Sequence, residues 1–166
     1  MDTEPDTQLS GLAVQVAQAF TVRRWKLTTV ESCTGGWVAQ ALTAISGSSA
    51  WFDRGLVTYS NEAKQDLVGV KTQTLADFGA VSEETAREMA AGALSRSRAQ
   101  AALSITGIAG PTGGTPDKPV GMVCFAWAIQ EGAAESRTQH FKGDRESIRR
   151  QAVIAALQGL LSRLPD

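Results

Sequence analysis

The chain has 166 residues, 43% hydrophobic and 20% charged, with a formal net charge of −1. That length and composition suit one domain whose core needs no disulfide or structural metal, and the near-zero charge argues against a nucleic-acid or anionic-membrane surface. Cys33 and Cys124 lie far apart and match no metal-ligand spacing, and the single histidine, His140, excludes a histidine-rich metal centre.

Apolar residues at Leu12, Val16, Ala19 and Phe20 give Leu9 to Phe20 a helical stripe that Thr7 or Ser10 can cap. Lys26 to Glu31 is short and β-branched and precedes a Gly pair, so it reads as a strand feeding a turn. Helical spacing resumes from Trp37 to Ile45, and Ser46 to Ser49 reads as a loop. Arg54 to Tyr59 is a second strand, Asn61 to Val68 a short helix capped by Ser60 or Asn61, and Lys71 to Phe78 another helix closed by Gly79. Ser82, followed by Glu83 and Glu84, opens a helix to about Ser97, because a hydroxyl cap and early acids complement the helix N-terminus. Ala101 to Thr106 is a strand and Gly107 to Pro119 a Gly/Pro-rich loop. Val120 to Gln130 and Glu135 to Phe141 form a hairpin around Glu131-Gly132, with His140 an ordinary strand residue. Arg145 to Leu161 is a last helix with Ile148, Val153, Ala156, Leu157 and Leu160 on its apolar face.

This order predicts a three-layer α/β/α sandwich with a mixed, mostly parallel five-stranded sheet. Residues 1–166 read as a single domain with a core from about 9 to 161, without repeats or linkers. The acidic start, Met1 to Thr7, does not resemble a signal peptide, and no apolar run approaches the roughly 20 residues of a membrane span. A reduced, cytoplasmic protein is expected.

In open α/β sheets, ligands gather at the carboxyl ends of strands. Glu31-Ser32-Cys33-Thr34-Gly35-Gly36 sets a hydroxyl and a thiol at a strand-to-helix turn, where free amides can hold an oxyanion or a phosphate. Thr58 to Lys64 carries two proton carriers, Tyr59 and Lys64. A lysine at its ordinary pKa of about 10.4 is a poor base at neutral pH and needs desolvation or a cationic neighbour to become one. Ser104 to Gly114 joins a strand end to glycine-rich backbone but lacks the trailing lysine of a P-loop, which excludes triphosphate binding. Arg145, near a helix N-terminus beside Lys142, Arg149 and Arg150, can pair a phosphate. Each feature also has a plain structural reading: a capped turn, a solvated surface lysine whose loss leaves the fold intact, a surface loop, a solvated basic face.

Together these segments occur in order with Gly47 to Phe52, Gly79 to Ser82, Lys118 to Gly121 and Gly143-Asp144-Arg145. From about Leu9 to Leu161 the chain closely resembles the CinA C-terminal-domain family of nicotinamide-nucleotide amidases, in a stand-alone form without the large N-terminal domain of two-domain members. The resemblance implies the same α/β/α fold. It also implies hydrolysis of nicotinamide mononucleotide to nicotinate mononucleotide and ammonia, in pyridine nucleotide recycling, with no metal or organic cofactor. Ser32 is similar to the family's nucleophile and Lys64 to its general base, with Tyr59 and Thr106 in the same hydrogen-bonding group. Amides of Thr34, Gly35 and Gly36, or of Gly107, are expected to hold the oxyanion. Arg145 and the backbone of Gly107, Ile108, Ala109 and Gly110 are expected to hold the substrate's phosphate and ribose, and Asn61 to contact the substrate. The partner is a small molecule, with neither nucleic acid nor membrane, and a homodimer is the default assembly. Two rivals stand beside this reading: a cysteine hydrolase using Cys33, and a non-catalytic nucleotide-binding or regulatory module linked to competence or DNA damage.

Overall fold

The computed structural model describes residues 6–166, so most of the acidic start lies outside the described residues. Helix α1 (Thr7–Arg23) is capped by Asp6, not by Thr7 or Ser10: the Asp6 carboxylate accepts from the Leu9 amide at 3.1 Å. The same carboxylate also pairs with Arg150, which ties the helix start to a residue 144 positions further along the chain.

Strand β1 (Leu27–Glu31), helix α2 (Trp37–Thr43) and strand β2 (Phe52–Val57) follow, with a 3-10 turn at Ser48–Ala50 that overlaps the expected Ser46 to Ser49 loop and runs one residue past it. Then come α3 (Asn61–Val68), α4 (Thr72–Phe78), α5 (Glu83–Ser95), β3 (Ala101–Gly107), β4 (Met122–Ile129), β5 (Glu135–His140) and α6 (Arg145–Leu161). Ser60 and Ser82 cap α3 and α5 through their hydroxyls, and Asp144 caps α6.

The strands lie in the order β2-β1-β3-β4-β5. β1 pairs in parallel with β2 and β3, whereas β3–β4 and β4–β5 are antiparallel. Four strands therefore point the same way and only β4 runs against them, as the tight Glu131-Gly132 hairpin requires.

Alternation along the strands divides the interior into two cores. Leu27, Leu103, Ile105, Phe125 and Trp127 pack with α1, α2 and α6 on one face. Val30, Ala102, Cys124, Ala126 and Ala128 pack on the other face with Val68, Ala86, Met89, Ala90 and Ala93. This second core is built of small residues, so its helices sit close. At Gly92 a β-carbon would fall 1.8 Å from the Val68 carbonyl oxygen, inside the α3–α5 contact. Gly92→Ala is therefore expected to destabilise the protein by about 1–3 kcal/mol through overpacking, read as a lowered midpoint in chemical denaturation. An unchanged midpoint would mean that the two helices are not held at this separation.

Candidate active site

β1 ends one residue before the candidate nucleophile. The Ser32 amide still donates to Ile105 O at 2.9 Å, so the residue is fixed to β3 as the chain leaves the sheet. The turn then closes with Gly35 N donating to Ser32 O at 3.0 Å. Gly35 and Gly36 take φ of 61° and 103°, the left-handed region in which a side chain is strained.

Two charged residues that the sequence reading left without a role hold this turn. Glu31 is 1% exposed. Its carboxylate accepts from Thr34 Oγ1 at 2.7 Å, Val38 N at 2.9 Å and Ala39 N at 3.1 Å. It thus supplies the cap that Gly36, with no side chain, cannot give α2. From α6, Arg149 donates to the carbonyls of Cys33 (3.0 Å) and Thr34 (3.1 Å), with its guanidinium 5.4 Å from the Trp37 ring centre. Glu31→Gln replaces an acceptor of three bonds by a group that presents an N–H to other donors. A loss of about 1–3 kcal/mol is expected, measured by denaturant unfolding; wild-type stability would show that the cap is dispensable.

On the opposite face of the sheet, the Ser60 cap starts α3 so that Lys64 and Val68, four residues apart, both point inward. Lys64 is 1% exposed, which corrects the reading of it as a solvated surface lysine. Its Nζ donates to Ser32 Oγ at 3.0 Å and to Thr58 O at 2.7 Å, bringing together an amine and a hydroxyl thirty-two residues apart. Burial pushes the amine's pKa down from its ordinary 10.5.

Tyr59 and Thr106 are near this pair but not bonded to it, a correction to the expected four-membered group. Alternation after β2 turns Tyr59 outward, 62% exposed, where its hydroxyl accepts from Arg145 Nη2 at 3.3 Å. Thr106 Oγ1 donates to Ala80 O at 2.8 Å. Arg145 also donates to Gly110 O at 2.8 Å, which anchors the loop after β3.

Ser32, Lys64, Tyr59, Asn61, Thr106 and Arg145 line one pocket of about 250 Å³, together with the backbone from Gly107 to Gly110. Thr112 and Gly113, inside the expected Ser104 to Gly114 loop, also line it, as do Ala80 and Val81 of the Gly79 to Ser82 motif; none of the four had a role of its own in the sequence. Thr34, Gly35 and Gly36 do not line it. The Thr34 side chain is turned to Glu31, and the Gly35 amide is already bonded to Ser32 O. The Gly107 amide has a better aim. Gln130 N→Gln100 O and Ile108 N→Met122 O place the even-numbered residues of β3 in the hydrogen-bonded pairs with β4. The Gly107 N–H therefore faces the β1 side, where Ser32 stands.

Cys33 also lines the pocket, but it is only 7% exposed and burial pushes its thiol up to about 11. Such a thiol is almost wholly protonated near neutral pH and is a weak nucleophile. Among the described residues, no three His, Cys, Asp or Glu side chains are grouped to hold a metal ion, and no helix is long and apolar enough to cross a membrane.

Over residues 9–164 the sequence matches the family described as the CinA C-terminal domain. It is 56% identical over 155 residues to the nicotinamide-nucleotide amidohydrolase PncC of Escherichia coli strain K12, covering 93% of this chain and 94% of that one. It is 46% identical over 153 residues to the protein of the same name from Pseudomonas putida, covering 92% and 95%. In structure it superposes on the competence/damage inducible protein CihA of Agrobacterium tumefaciens with a TM-score of 0.92, at 47% identity and 98% coverage of both chains. A CinA superfamily protein of Escherichia coli superposes with a TM-score of 0.91 at 39% identity, covering 98% of this chain and 94% of that one. With a match spanning nearly its whole length and relatives this similar, the chain belongs to the CinA C-terminal domain family.

Proposed function

We propose that the protein hydrolyses the carboxamide of nicotinamide mononucleotide to nicotinate mononucleotide and ammonia, in the recycling of pyridine nucleotides, with Ser32 as nucleophile and Lys64 as general base. The names of the relatives from Escherichia coli and Pseudomonas putida support the reaction. The observation that carries the mechanism is the 3.0 Å bond between Lys64 Nζ and Ser32 Oγ inside the pocket.

The chemistry follows from a desolvated amine beside a hydroxyl. Neutral Lys64 takes the Ser32 proton as Oγ bonds to the carboxamide carbon. The resulting oxyanion is met by the Gly107 N–H, with the adjacent Cys33 amide as second donor. As the tetrahedral centre collapses, the C–N bond breaks and Lys64 passes its proton to the departing nitrogen, which leaves as ammonia. Water then attacks the Ser32 ester, Lys64 accepts the water's proton, and that proton returns to Oγ when the ester bond breaks.

Arg145 and the backbone from Ile108 to Gly110 are assigned to the phosphate and ribose, and Asn61 to the substrate's polar edge. Tyr59 orients Arg145, and Thr106 fixes the wall at Ala80. Arg145→Ala is expected to raise KM by about tenfold or more, the worth of one charge-assisted hydrogen bond, with a smaller change in kcat. A steady-state comparison in which kcat alone falls would remove Arg145 from substrate binding.

The deciding assay follows ammonia release from nicotinamide mononucleotide by purified protein. No release above the blank rejects the reaction and favours a binding or regulatory module. A homodimer in the cytoplasm completes the proposal; light scattering checks the assembly.

A further inference from the structure

Resting on this reading of Ser32 and Lys64, the charges around the pocket say something about which carboxamides it accepts. Among the described residues, two basic side chains, Lys64 and Arg145, line it, and no carboxylate does. The acids of the elements packed around Lys64 are turned elsewhere. Glu62 and Asp66 lie on the exposed face of α3. On α5, Glu83 accepts from Ser136 and Thr138, Glu84 pairs with Arg87, and Glu88 accepts from Lys71 N and Thr74. Glu31 is committed to α2 on the other face of β1, and Asp144 to the cap of α6. What faces Lys64 is uncharged: the Ser32 hydroxyl, the Thr58 carbonyl and the protonated Cys33 thiol.

An N-glycosylated nicotinamide carries a positive ring nitrogen, two ring bonds from the carbon that bears the carboxamide. Attack by Ser32 therefore draws that charge to within a few ångströms of the Lys64 amine. With no carboxylate of the described residues lining the pocket between them, the two positive charges disfavour each other. One of them can leave as a proton to solvent. The ring charge cannot.

We propose that the substrate's own ring charge holds Lys64 in its proton-free, base-competent form, so that cationic, N-substituted pyridine carboxamides, once bound, find the base ready at a lower pH than uncharged carboxamides of the same shape do. Arg145 then balances the phosphate at the mouth, and the bound pair of opposite charges is matched by one fixed cation and one neutral amine.

The test compares two ligands in Ser32→Ala protein, so that neither is consumed. One is nicotinamide mononucleotide. The other is benzamide riboside 5′-monophosphate, which keeps the carboxamide, ribose and phosphate but has an uncharged ring. Affinities are measured by calorimetry across the pH range in which Lys64 titrates. Nicotinamide mononucleotide is expected to gain affinity on the uncharged ligand as pH rises, by up to about tenfold per pH unit for one linked proton. Phosphate ionisation is common to both ligands and cancels. Equal pH slopes for the two would overturn the proposal. So would a slope difference that survives Lys64→Met in the same background, because another group would then hold the proton. Ammonia release by the unmutated protein is scored separately: turnover with equal slopes sinks the charge inference alone, whereas no turnover sinks the amidase reading itself.

Discussion

Lys64→Met is expected to lower kcat for ammonia release by about 10²–10⁴-fold, the usual contribution of a positioned general base. Methionine keeps most of the buried stem and removes the amine, so the change isolates the chemistry better than alanine, which would leave a void at a residue with 1% exposure. The pH behaviour should change with it. Burial holds the folded-state pKa of Lys64 below its ordinary 10.5, so activity that needs the neutral amine rises with pH through that lowered pKa. The variant should lose this rising limb. Stability carries the same signature. Folded protein binds the Lys64 proton less readily than unfolded chain does, which penalises the fold fully below the lowered pKa. The penalty is relieved as pH climbs from there towards 10.5. Wild type should therefore gain stability relative to Lys64→Met over that window, measurable by denaturant unfolding at paired pH values. A variant with near-normal turnover and an unaltered pH profile would remove Lys64 from the reaction.

The second large effect separates neighbours in one turn. Ser32→Ala is expected to reduce kcat by on the order of 10⁴-fold or more, as loss of a covalent nucleophile does, whereas Cys33→Ala should stay within about tenfold of wild type. The difference arises from where each group stands. The hydroxyl is bonded to the amine at 3.0 Å, while the thiol is raised to about 11 with no base in hydrogen-bond contact. If instead the Cys33 change abolished ammonia release and the Ser32 change spared it, the serine mechanism would fall and the thiol would take its place.

Much of the architecture was legible because local rules and tertiary packing agree. Arg145–Leu161 begins and ends where the apolar spacing puts it, and the Ser60 and Ser82 caps form as their residue types suggest. Asp6 displaced the two expected caps of α1 because a carboxylate next to the first turn accepts from Leu9 and also pairs with Arg150, a partner no local pattern reveals. The site was legible as a set of loops but not as a set of bonds. Lysines are usually exposed, so Lys64 looked like a surface residue, although its spacing of four from Val68 already put it on the inner face of α3. The β-period had similar unused content: Leu56 and Thr58 face in, so Tyr59 is left exposed at the pocket rim rather than bonded to the amine. Glu31 and Arg149 could not be placed from spacing at all, because their partners are backbone atoms of a turn whose path only the folded chain defines.

Successive residues Glu31 and Ser32 leave the same strand toward opposite faces of the sheet, and so toward separate hydrophobic compartments. One compartment fixes the turn through a carboxylate and a guanidinium, and the other presents the amine. The Ser32 oxygen thus sits at a seam between the two hydrophobic cores. Its alignment with the amine registers disturbance arriving from either one, including from helices that never touch the ligand.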